Sequence, residues 1–169
     1  LAETGAGYAA LFCGALRRQQ ESAAQIRAAH PSLPEPTIDA QWNEFDLDAV
    51  YREIAPRLAA DDAEFAAGYE KLMVEAADAA SGIHRRWTAT DIAVVRAWIA
   101  GVYKTHTESW VEFKARVSGA LRTVESFGPG ESVAVSTSAT PIGVWMGLAM
   151  NLADREIMRT AGALYNASI

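Results

Sequence analysis

The stretch "ESVAVSTSATPIGVWMGLAM" (131–150) constrains the fold more than any other in the chain. Val133, Ala134 and Val135 are apolar in succession, which suits a strand covered on both faces and not one facing water. Four small hydroxyl residues, Ser136, Thr137, Ser138 and Thr140, follow at once. Pro141 then opens an apolar segment, which predicts a helix over 141–150. Strand, polar turn and helix in that order make the βα unit of a parallel sheet. The expected class is therefore α/β, three-layered α/β/α, with a mostly parallel sheet. The turn stands at a strand's carboxyl end, where such folds hold ligands, yet it contains no His, Cys, Asp, Glu or Lys.

Most of the remaining chain reads as helix. "GALRRQQESAAQIRAAH" (14–30) places Leu16, Ala23, Ile26 and Ala29 at helical spacing, and the prolines of "PSLPEPTID" end it. "DLDAVYREIAPRL" (46–58) sets Leu47, Val50, Ile54 and Leu58 on one face behind Asp46 as N-cap. Residues 62–80 repeat the pattern through Phe65, Tyr69, Leu72 and Ala76. Ile92, Val95, Ile99 and Val102 form another stripe, capped by Thr90 or Asp91. Trp110, Phe113, Val117, Leu121 and Val124 give the clearest one, closed by Gly128-Pro129-Gly130. A short helix is expected near 153–160. Segment 2–12, within the opening "LAETGAGYAALF", reads as a small-residue helix, and "ALYNASI" (163–169) as β-prone. With only two strand signals the fold is short of strands, and the expectation is that the polypeptide includes segments outside these 169 residues.

Composition narrows the function. A formal charge of −6 argues against a nucleic-acid binder, which needs a basic surface. The single cysteine, Cys13, excludes an intrachain disulfide and a cysteine-built zinc site, and fits a reducing, cytoplasmic setting. The longest apolar run, Ile142 to Met150, is too short to span a bilayer. Neither membrane association nor a cofactor is expected, and size and charge suit a monomer or a homodimer.

Several residues are candidates for chemistry. Arg17 and Arg18 near a helix start are either two solvated arginines or hold an anion, because a guanidinium matches phosphate oxygens in a bidentate way. Glu44 stands in "WNEFDLD" between Trp42 and Phe45. A carboxyl against aromatic rings has a raised pKa and suits a general acid, while the simpler reading is an acidic helix N-terminus shared with Asp46 and Asp48. His30, His84 and His106 share no metal-ligand spacing and read as structural or exposed. "HRRW" (84–87) is a basic-aromatic patch, either a solvated loop or a contact for an anionic substrate.

Taken in order, these stretches resemble the histidine phosphatase superfamily, the phosphoglycerate-mutase-like proteins. "LAETGAGYAAL" is similar to the family's L-S-x-x-G-x-x-Q-A segment, and "CGALRRQQESA" to S-x-L-x-R-x-x-x-T-A. "WNEFD" resembles the L-x-E-x-x element, "TESWVEFKARV" resembles G-E-S-x-x-x-F-x-x-R-V, and "LYNASI" the late N-x-S-I strand. "VAVSTSATPIG" fills the slot of V-L-V-V-S-H-G-G-V-I.

The resemblance implies one domain over 1–169, with 39–108 as a helical cap, acting on a small phosphorylated substrate or holding phosphate. In the family a histidine from an Arg-His-Gly motif attacks phosphorus, arginines and a second histidine stabilise the charge, and a carboxylic acid protonates the leaving oxygen. Carried over, Arg18 becomes a phosphate-binding arginine with a catalytic role and Glu44 the acid. Ser138 takes the place of the second histidine, as in a branch with a Thr-Ser-Gly-Gly-Pro-Ile turn. Ser138 and Ala139 would hold phosphate, and Trp42, Arg85 and Arg86 would set specificity. No Arg-His-Gly motif occurs in these residues, so the nucleophile would lie outside them. The family also has a helix end, a loop and most of a strand between the segments matched at Leu11 and Gly14, and these are expected to be missing.

Overall fold

The computed structural model describes residues 7–77 and 87–164. Within them the chain is an α/β protein with a parallel three-stranded sheet and seven α-helices. It divides into two compact units, Leu1–Phe45 with Lys114–Ile169, and Asp46–Phe113.

The first unit is built on β1 (Tyr8–Cys13), the middle strand of the order β2-β1-β3. This corrects the helix expected over 2–12. Pairing decides the matter, because β1 has a parallel partner on each side: β2 (Pro36–Ile38) and β3 (Ser132–Ser136). Backbone groups so paired outweigh the helix propensity of two alanines. The strand thought to be missing before Gly14 is therefore present. The three-residue β2, within a stretch expected only to end a helix, is a further addition. The β-prone tail lies outside the described residues from 165 onward.

Register places the strand ends together. Cys13 is opposite Ile38 on one side and Ser136 on the other, so all three strands finish at the same edge. Both faces of the end of β1 are covered, whereas Val133, Ala134 and Val135 on β3, expected to be buried, are half-buried. Phe12 packs with Trp42, Ala120, Val133, Val135 and Trp145 on one face, while Leu11 and Cys13 on the other are also buried. Burial also pushes the Cys13 thiol up. Between β1 and β2 lies α1 (Arg17–Ala29), whose buried residues are Gln19 and Ala23. After β3 come α6 (Ala139–Met150) and α7 (Asp154–Ala163). These two helices meet where α6 carries Gly143: a Cβ there would stand 2.9 Å from the Ile157 carbonyl oxygen.

The second unit is helical: α2 (Leu47–Asp61), α3 (Ala63–Ala77), α4 (Ala89–Ile99) and the first turn of α5 (Trp110–Glu125). Asp46 caps α2 as expected, accepting from the Ala49 amide at 2.9 Å. The α4 cap is Thr88, not Thr90 or Asp91, and Asp91 bonds back to the Thr88 amide at 2.6 Å. Its buried face also differs from the expected stripe. Val94, Val95, Ala97 and Trp98 are buried, whereas Ile92 and Val102 are exposed, because Trp98 packs against Trp110 and Phe113. Among the described residues no helix is long and apolar enough to cross a membrane.

Candidate functional site

Because the three strands end together, the segments that follow them converge: Gly14–Leu16, Asp39–Asn43 and Thr137–Ser138. One side chain links all three. Gln19, buried in the first turn of α1, accepts from the Leu16 amide at 3.3 Å through Oε1. Its Nε2 donates to the Trp42 carbonyl at 3.0 Å and to Ser138 Oγ at 2.9 Å. A Cβ on residue 14 would stand 1.9 Å from Gln19 Oε1, so glycine at that position makes room for the amide. Thr137 Oγ1 donates to the Trp42 carbonyl at 2.5 Å, and Ser136 Oγ to the Gln19 carbonyl at 3.2 Å. The Ala15 amide donates to Asn43 Oδ1 at 2.7 Å. Arg116 on α5 holds the same loop from outside, its Nη1 reaching the carbonyls of Ala40, Gln41 and Asn43 at 3.2, 2.9 and 3.1 Å.

Glu44 emerges from this loop and turns to the start of α6. Its Oε2 accepts from the Thr140 amide at 3.2 Å, at the N-terminus of α6, and its Oε1 from the Phe45 amide at 3.2 Å. Burial pushes the Glu44 carboxyl above the usual carboxylate range. The Thr140 and Phe45 bonds and the Arg18 guanidinium pull the other way without cancelling it. The folded protein therefore binds the Glu44 proton more tightly than the unfolded chain does. Stability from this group is full at low pH and is lost as pH rises through the raised value. Glu44→Gln, which cannot ionise, is expected to melt higher than wild type near pH 8, with the difference closing toward about pH 4. Thermal melts across that range measure it, and an equal gap at every pH would contradict the burial cause.

The other predicted residues are placed as follows. The Arg18 side chain is exposed, makes no hydrogen bond or ion pair among the described residues, and lies close enough to Glu44 to act on its charge. Arg17 instead pairs with Glu21 at 2.6 Å. Ser138 precedes α6 as its N-cap residue, and the Ala139 amide beyond it has no acceptor among the described residues. Arg18, Glu44, Ser138 and Ala139 thus share the carboxyl edge of the sheet. Trp42 requires a correction. It is 1% exposed and packed against Phe12 and Trp145, so its ring is core and offers a substrate no surface. Arg85, Arg86 and His84 lie outside the described residues. Gln19 and Arg116 were missed. Gln19 did leave a signal, a polar residue four before Ala23 and seven before Ile26 on the buried face of α1.

No family model matches the chain, and no curated protein matches it in sequence. A solved structure described as "a putative alpha-ribazole-5'-P phosphatase from Escherichia coli str. K-12 substr. MG1655" superimposes with a TM-score of 0.52 at 13% identity, over 92% of this chain and 63% of the other. The two share a fold, of the phosphoglycerate-mutase-like α/β kind, and this chain spans 63% of that neighbour's length.

Proposed function

We propose that these residues form the phosphoryl-binding and acid side of a phosphomonoester hydrolase of the histidine phosphatase type. The observation that carries this reading is Glu44, a half-buried carboxyl with raised proton affinity beside the α6 N-terminus, under the influence of Arg18. Arg18, the Ser138 hydroxyl and the Ala139 amide supply donors for phosphoryl oxygens. A histidine outside the 169 residues attacks phosphorus, and the P–O bond to the leaving group breaks. Glu44 gives its proton to that oxygen, then takes one from the water that cleaves the phosphohistidine. The substrate class is a small phosphorylated compound. The description of the structural neighbour as a phosphatase supports this class of activity.

A second reading, a phosphate-binding domain without turnover, is favoured by one fact: none of the 169 residues forms an Arg-His-Gly motif. Hydrolysis of an aryl phosphate and of an alkyl phosphate by the natural polypeptide, alongside phosphate binding by calorimetry, separates the two. Turnover of both, with Glu44→Gln slowing the alkyl ester far more than the aryl ester, supports the hydrolase, since only a poor leaving group needs the proton. Binding without turnover selects the second reading. Absence of both sinks the assignment.

A further inference from the structure

We propose that Gln19 is a positioning residue that makes Ser138 a hydrogen-bond donor to the bound phosphoryl group; this rests on the phosphate-binding reading above. A serine hydroxyl has one proton and two acceptor lone pairs. The Gln19 amide nitrogen has only protons to give, so the 2.9 Å contact can run in one direction alone, with Ser138 Oγ accepting. The orientation of the amide is set by its other bonds. Oε1 faces the Leu16 amide and Nε2 faces the Trp42 carbonyl, and a flipped amide would set two carbonyl oxygens against each other.

The Ser138 proton is therefore directed away from Gln19, and no hydrogen bond donated by Ser138 Oγ is found among the described residues. A hydroxyl that accepts one hydrogen bond also donates a stronger one. The proton is thus available on the side where the Ala139 amide is open and Arg18 is exposed. Through one amide, the position that carries no charged imidazole still presents a fixed donor.

The test is a double-mutant cycle on phosphate affinity, read by calorimetry, with thermal melts recorded for each variant. Ser138→Ala and Gln19→Leu are each expected to weaken phosphate about tenfold. The double variant is expected to be no weaker than about tenfold, because without Gln19 the serine proton is no longer directed. A hundredfold loss in the double variant, meaning independent effects, would overturn the proposal while leaving phosphate binding intact. A wild type that binds no phosphate would overturn it together with the reading it rests on. Should Gln19→Leu not fold, the Gln19 side-chain amide resonances in wild type provide the second measurement. Phosphate should shift them, and Ser138→Ala should abolish that shift; resonances unmoved by bound phosphate would count against the proposal.

Discussion

Trp42→Ala is expected to remove about 3–5 kcal/mol of stability, the cost of deleting a large aromatic from a close-packed core. The indole is 1% exposed, meets Trp145 edge-on at 5.0 Å between centroids and lies tilted against Phe12 at 6.5 Å. Phe12 is in turn edge-on to Phe127 at 6.1 Å, so the cavity would open in the middle of a connected aromatic cluster. Since a domain of this size holds only about 5–15 kcal/mol in total, the variant should be partly unfolded at modest denaturant. Urea melts should show a lower midpoint with an unchanged slope. Trp87→Ala is the control: that side chain is 54% exposed, and its loss should stay within about 0.5 kcal/mol. Equal losses in the two variants would contradict the placement of the core.

Arg18→Ala should leave the fold untouched and impair the site. An exposed arginine without an ion pair contributes little to stability, so melting should be unchanged within about 0.5 kcal/mol. A guanidinium meeting a phosphoryl group does more, because charge-assisted bidentate bonds strengthen as negative charge develops. Losing one such donor set is expected to lower hydrolysis on the order of 10²-fold. Arg18→Lys should recover part of this, since an ammonium keeps the charge without the planar fork. A second signature follows from Glu44. Arg18 lowers the proton affinity of Glu44, so its removal should move the alkaline limb of the rate profile to higher pH, where the acid now stays protonated. Hydrolysis unchanged in Arg18→Ala would contradict the role assigned to Arg18.

How much was legible in the residues follows from the range of the forces involved. The helices α2 and α5 announce themselves because apolar residues at 3–4 spacing and an Asp46 cap are local signals. The β3 to α6 unit is equally plain, since three successive apolar residues, a hydroxyl turn and a proline leave few alternatives. β1 was misread because Ala9, Ala10 and Leu11 favour helix, which outweighed the strand preference of Tyr8. The strand is set by distant partners instead: Leu11–Cys13 pair with β2 about 25 residues on, and the strand from Tyr8 pairs with β3 about 125 residues on. On α4 the periodicity was real, but the large indole of Trp98 rotated the buried face toward its own contacts.

The site shows the same division. Sequence alone, through spacing and resemblance, singled out Arg18, Glu44 and the Ser138 turn as candidates. It could not say that Glu44 turns to the Thr140 amide, nor that Trp42 lies in the core. It also could not show that Gln19 would meet a hydroxyl 119 residues away, through space that glycine at position 14 leaves open. Helical periodicity and capping are written in neighbouring residues, so the sequence determined the helices and the polar turn. Strand pairing, burial and the direction of a hydrogen bond depend on which distant segments the sheet brings to one edge, and only the tertiary structure decided those.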